Sequence, residues 1–90
     1  RTIVTGTERD VDRLALAKQL GATAVVNVER TPADDVVREL TQGRGVDVAF
    51  EVAGAAASVR ACLAALRRAG RFVQVGVCGR EVEILWDQLL

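Results

Sequence analysis

The sequence predicts an α/β fold, a doubly wound parallel sheet with helices between its strands, and three observations carry that expectation. Val46–Glu51 alternates Val46, Val48 and Phe50 against Asp47, Ala49 and Glu51 and then breaks at Gly54 into an alanine-rich stretch. This is a strand close to the commonest strand length, feeding a helix through a glycine hinge. The same grammar of strand, glycine and helix recurs before and after it. Strands that alternate with helices of about ten to fifteen residues imply right-handed crossovers and therefore a parallel sheet.

Taken in order, Thr2–Thr5 is a short β-rich run ended by Gly6, which reads as a strand. Thr7-Glu8-Arg9 forms a loop, and Asp10 stands where an N-cap is needed. Val11, Leu14, Ala17 and Leu20 recur at helical spacing, while Asp12, Arg13, Lys18 and Gln19 face water. Gly21 is the expected left-handed stop. Ala24–Val28 is nearly all apolar, as in a strand covered on both faces. Thr31 as cap and Pro32 as first helical residue open a second helix. Asp34 and Asp35 lie in its favourable first turn, and Ala33, Val36, Val37 and Leu40 form its inner stripe. Gln42–Gly45 turns the chain into Val46–Glu51. A third helix is expected over about Ala55–Ala69, with Val59, Cys62, Leu63 and Leu66 on one face, Arg67 and Arg68 at its C-terminal dipole end, and Gly70 as the stop. Phe72–Val77 is a further strand, broken by Cys78-Gly79, and the alternation over Glu81–Trp86 suits one more.

Composition narrows the function classes. The chain has 90 residues, enough for one small domain, with 12 Lys+Arg against 12 Asp+Glu and no histidine. Zero net charge and the absence of a basic stripe interleaved with aromatics argue against a nucleic-acid partner. Without histidine the commonest general base and metal ligand is missing. Cys62 and Cys78 lack the close paired spacing of a zinc or redox motif, and two thiols with no framework suit a reducing cytoplasm. No apolar run approaches the ~20 residues of a membrane helix, and no signal peptide is visible.

Two stretches could carry ligand chemistry. In dinucleotide-binding folds an acid at the end of the second strand takes the ribose 2′-hydroxyl of NAD, whereas a small residue with a nearby arginine leaves room for a 2′-phosphate. Gly6, with Thr7, Arg9 and Arg13 close behind, has the second pattern; it is also what a glycine turn with solvated arginines looks like. Val75-Gly76-Val77 is a strand end whose small central residue allows the backbone to approach a flat ligand, or an ordinary buried strand running into a turn. Glu51 is the one acid at a strand end near this region, and a structural role suits it better than proton transfer. Cys62 lies on an apolar helix face, which makes it buried packing and inert; Cys78, in a tip loop, is expected to be exposed. Trp86 reads as core or interface.

The runs Thr2-Ile-Val-Thr-Gly6, Asp12-Arg-Leu-Ala-Leu-Ala-Lys-Gln-Leu-Gly-Ala22, Gly43-Arg-Gly-Val-Asp-Val-Ala-Phe-Glu-Val-Ala-Gly54 and Gly70-Arg-Phe-Val-Gln-Val-Gly-Val77 resemble, in order and spacing, the medium-chain dehydrogenase/reductase family. Its zinc-type members include alcohol, sorbitol and threonine dehydrogenases, and the similarity spans nearly the whole chain. The resemblance implies a partial Rossmann fold binding NAD(P), without the first strand and glycine-rich phosphate loop. It places Gly6 where the family has a ribose-binding aspartate, and Arg13 at a basic position beside the adenosine ribose. Val52-Ala53-Gly54 falls on the segment lining the adenosine and ribose side, and Val75-Gly76-Val77 on the one whose main chain nears the nicotinamide. It implies a parent enzyme passing hydride between a secondary alcohol or polyol and the cofactor, NADP being favoured over NAD by Gly6, Arg9 and Arg13. Zinc and its ligands would belong to the parent alone.

The catalytic domain, the zinc ligands and the phosphate loop are absent from these residues, so 1–90 is expected to be an excised piece, inactive alone and a weak cofactor binder, of a homo-oligomeric cytoplasmic enzyme. Zinc-free quinone or enoyl reductases of the same family are an alternative, as is a non-catalytic α/β scaffold or oligomerisation module. In the strand order 3-2-1-4-5-6 the missing first strand belongs between Thr2–Thr5 and Val46–Glu51, so those two strands should not pair with each other.

Overall fold

The computed structural model describes residues 1–79 and 81–84. Four strands and three helices alternate along it: β1 (Ile3–Gly6), α1 (Val11–Gln19), β2 (Ala24–Asn27), α2 (Ala33–Leu40), β3 (Val46–Glu51), α3 (Ala56–Ala65) and β4 (Leu66–Gln74), with a single 3-10 turn at Glu8–Asp10 between β1 and α1. β1 pairs parallel with β2, Ile3 opposite Ala24 and Gly6 opposite Asn27. β3 pairs parallel with β4, Phe50 opposite Val73 and Glu51 opposite Gln74. The two pairs form separate two-stranded sheets, and β1 does not pair with β3, as the strand order anticipates. The fold is α/β with the parallel sheet arrangement of a partial Rossmann-type nucleotide-binding domain.

The core is small. Leu14 of α1, Val26 of β2, Val37 of α2, Ala49 of β3, and Val59 and Leu63 of α3 are its buried apolar side chains among the described residues. α1 packs on β1 and β2, α3 on β3, and α2 against α3 and β2. Each large side chain in this set contributes roughly 1.5–3 kcal/mol by leaving water.

Several local expectations are corrected. In α1 only Leu14 is buried; Val11 and Leu20 at the helix ends are 50% and 80% exposed, because the sheet under α1 has only two short strands to cover its stripe. α2 begins at Ala33, with Pro32 as its extended N-cap instead of Thr31. Asp10 is the N-cap residue of α1, yet its side chain gives α1 no capping bond and turns back toward Thr7. α3 ends at Ala65, four residues early, and Leu66 is already extended (φ −70°, ψ 140°). There Leu66 pairs with Val46, and β4 slips past β3 until Arg71 stands opposite Val48. The left-handed turn inside that slip falls on Ala69 (φ 59°), not on Gly70. Arg67 therefore serves no helix dipole; its Nε donates to Asp47 Oδ1 at 2.7 Å across the strand pair. Glu81–Ile84 has no regular secondary structure, and the rest of the expected last strand, with Trp86, lies outside the described residues.

The alternation of β3 also acquires a direction. Ala49 and Glu51 point inward, at 8% and 1% exposure, while Val48 and Phe50 are 40% and 63% exposed. The small residue and the acid face α3 and the β4 loop, where close approach matters more than apolar volume.

Candidate functional site

In a parallel pair both strands end at the same edge: the loops after β3 and β4 leave one such edge, and the loop after β1 leaves that of the other pair. Glu51, the last residue of β3, organises two of them. Its carboxylate accepts hydrogen bonds from the Gly54 N–H, at 3.1 Å to Oε2 and closer to Oε1. It also accepts from the Ser58 hydroxyl at 2.8 Å, and from Gln74 Nε2 at 3.3 Å. The Glu51 carbonyl accepts from the N–H groups of Val75 and Gly76, at 2.8 and 2.9 Å. Gln74 in turn donates to the Gly76 carbonyl at 2.8 Å. A fully buried carboxylate is tolerated only when its lone pairs are filled in this way. Sequence reasoning gave Glu51 a structural role and the geometry agrees; what it missed was that Glu51 ties the two loops together.

The glycines of those loops face each other. Gly54 has a left-handed φ of 73°, and a Cβ built on it would stand 2.5 Å from the Val77 carbonyl oxygen. A Cβ on Gly76 would overlap the Gly54 nitrogen and come within 2.7 Å of Glu51 Oε1 and the Val52 carbonyl. The small residues are thus needed for contact of one loop with the other. Around this knot the apolar side chains are turned out: Val52, Val75 and Val77 are 66%, 57% and 89% exposed, and Ala53 is exposed as well. The result is a hydrogen-bonded main-chain rim with apolar faces, on which a flat ring can lie.

The loop after β1 is built differently. Asp10 Oδ2 accepts from the Thr7 N–H at 2.8 Å and the Thr7 hydroxyl at 3.1 Å, and Oδ1 accepts from Arg13 Nη1 at 3.1 Å. The Thr7 N–H, then its hydroxyl, with Arg13 adding, hold the Asp10 carboxyl below the usual aspartate range. Beside it Arg30 and then Asn27 hold the Glu8 carboxyl low, and Glu29 accepts from the Glu8 N–H at 2.6 Å, so the loops after β1 and β2 are laced together. The predicted residues Gly6, Thr7, Arg9 and Arg13 cluster here, and Val52–Gly54 with Val75–Val77 cluster at the β3 and β4 ends. Among the described residues no group of histidine, cysteine, aspartate and glutamate is placed to hold a metal ion.

A recess of about 200 Å³ lies at the opposite end, where β3 and β4 begin, lined by Asp34, Arg38, Arg44, Ala65 and Leu66 among others. It is smaller than the ~300 Å³ at which ligand pockets usually begin, and it is far from the strand ends that hold ligands in open α/β sheets.

Both thiols are free and half-buried, so Cys62 is less buried than expected and Cys78 less exposed. Cys62 donates to the Phe50 carbonyl at 3.7 Å, and burial, then the Glu51 charge, raises its pKa. Since the thiolate is the reactive form, a thiol reagent at neutral pH is expected to modify Cys78 before Cys62, read by mass spectrometry of the native protein. Labelling of Cys62 first would mean that α3 does not sit on β3 as described.

Comparison with known proteins follows the same lines. The sequence profile of the family described as zinc-binding dehydrogenase matches residues 2–90. D-arabitol-phosphate dehydrogenase of Enterococcus avium is 44% identical over 83% of this chain, which spans 21% of that protein. An oxidoreductase/dehydrogenase of unknown specificity from Escherichia coli superposes with a TM-score of 0.87 at 30% identity, over 96% of this chain and 24% of that one. A putative zinc-binding dehydrogenase from Sinorhizobium meliloti, bound to NADP, superposes with a TM-score of 0.77 at 31% identity, over 97% and 26%. The chain thus spans about a fifth to a quarter of the length of these relatives. It belongs to the zinc-binding dehydrogenase family, within the medium-chain dehydrogenases whose motifs its strand ends carry.

Proposed function

We propose that residues 1–90 are part of the nicotinamide-cofactor domain of a longer dehydrogenase that passes hydride between a secondary alcohol or polyol and NAD(P). The observation that carries this reading is the hydrogen-bonded rim at the ends of β3 and β4, where Glu51 ties two loops together and their apolar faces are left open. Family membership and the polyol-phosphate relative support the substrate class, and the NADP-bound relative supports the cofactor class.

The residues present fit such a cofactor. Val52, Ala53 and Gly54 would line its adenosine and ribose side, and the main chain of Val75, Gly76 and Val77 would lie against the nicotinamide. Gly6, Thr7, Arg9 and Arg13 would surround the adenosine ribose. When bound, the nicotinamide accepts or gives the hydride. This chain's part is to hold the two loops at fixed separation, so that the ring is positioned without reorganisation, and to shield one face of it from water with Val75 and Val77. A zinc ion polarising the alcohol oxygen would take its ligands from outside these residues.

Titration of the full-length protein with NADH and NADPH, followed by nicotinamide fluorescence, tests the reading. Binding of at least one at micromolar concentration is expected. Failure of both to bind, in a folded protein, would overturn it.

A further inference from the structure

Gly6 invites a simple explanation, that a missing side chain makes room for a 2′-phosphate, and the structure offers another. A Cβ built on Gly6 would stand 2.9 Å from Asp10 Cβ, 3.1 Å from Asp10 Oδ2 and 3.3 Å from Asp10 Cγ. Gly6 does not have the positive φ that would require glycine for backbone reasons. What favours glycine is the Asp10 side chain, whose Cβ and carboxyl group crowd the space a Cβ at position 6 would enter. An acid is thus brought beside the end of β1 from four residues further along.

We infer that Asp10 is the residue that reads the adenosine ribose, accepting its 2′-hydroxyl and turning away a 2′-phosphate, so that the enzyme is selective for NAD over NADP. This rests on the proposed placement of the cofactor and reverses the preference that Gly6, Arg9 and Arg13 suggest as a string of residues.

The geometry supports each part. The Thr7 N–H and hydroxyl both bind Oδ2, which orients the carboxylate and keeps it ionised. Among the described residues Oδ1 has a single partner, Arg13 Nη1. An ionised carboxylate offers about four acceptor sites, so Oδ1 retains capacity for a hydroxyl donor. A 2′-phosphate has no such proton to offer and would set two or so negative charges beside a fixed one. Of the two nearby arginines, Arg13 has a side chain 85% exposed and is already paired with Asp10, whose side chain is 26% exposed. So open a pair holds its partner weakly; the arginine adds neither a fixed fork nor a desolvated charge for a phosphate.

The test uses the full-length protein and compares dissociation constants for NADH and NADPH. Wild type is expected to bind NADH about tenfold or more tightly than NADPH, the size of a like-charge penalty at a partly exposed site. Asp10→Asn should remove most of that ratio by strengthening NADPH binding. Asp10→Ser keeps a short acceptor for the Thr7 N–H, and a similar shift there separates charge from loop integrity. Circular dichroism confirms that both variants are folded. A wild type that prefers NADPH, or a ratio unchanged in both folded variants, would overturn the role of Asp10 while leaving the cofactor site standing. Binding of neither nucleotide by wild type would overturn both.

Discussion

Gly76→Ala is expected to lower the stability of the full-length protein by about 2–4 kcal/mol, the range of severe local misfits, and to weaken NADH binding at least tenfold, an effect of over about 1.4 kcal/mol. The added methyl has nowhere to go: it would overlap the Gly54 nitrogen and crowd Glu51 Oε1 and the Val52 carbonyl. Two of these three neighbours are main chain, so relief requires the loops after β3 and β4 to part. Parting them breaks the bonds from Val75 and Gly76 to the Glu51 carbonyl and dissolves the rim. Denaturant unfolding of the variant gives the first number and nucleotide titration the second. A variant as stable as wild type would mean that the two loops do not touch as described.

Glu51→Ala should cost about 2–3 kcal/mol, because it leaves the Gly54 N–H without its acceptor and takes one of two acceptors from the Ser58 hydroxyl and the Gln74 amide. Glu51→Gln preserves shape and should be milder, at about 1–2 kcal/mol, since its amide –NH₂ has to face at least one of those donors. The useful readout is the contrast. If Glu51 acts by holding the rim, Glu51→Gln weakens nucleotide binding while the turnover of the bound complex changes little and its pH profile not at all. A shifted pH profile at unchanged nucleotide affinity would instead make Glu51 a proton-transfer residue.

The order of elements was legible because each is punctuated locally. Gly6 and Gly21 end their segments, the turn from Gln42 to Gly45 enters β3 through left-handed residues at Gln42, Gly43 and Gly45, and Asp34 and Asp35 mark the start of α2. Where punctuation was ambiguous, tertiary pairing decided. Leu66 continues the apolar stripe of α3 by spacing, yet it leaves the helix to pair with Val46, and Arg67 follows it to reach Asp47. Alternation along β3 showed two faces but could not show that the face with alanine and glutamate was the inner one; that depends on how closely α3 and the β4 loop approach. The site was legible in outline, as strand-end segments, and illegible in mechanism. That Asp10 crowds the space beside Gly6, or that Gly54 and Gly76 are spaced by Glu51, is a property of loop geometry with no periodic signature.

Amide hydrogen exchange of the full-length protein, with and without saturating NADH, tests most directly whether the strand ends hold the cofactor. Slowed exchange is expected on the peptides covering Val52–Gly54 and Val75–Val77, and at the loop carrying Gly6–Asp10, with little change around the recess of Asp34, Arg38 and Arg44. Protection confined to that recess, with the β3 and β4 loops exchanging as fast as in the free protein, would contradict the assignment of the site.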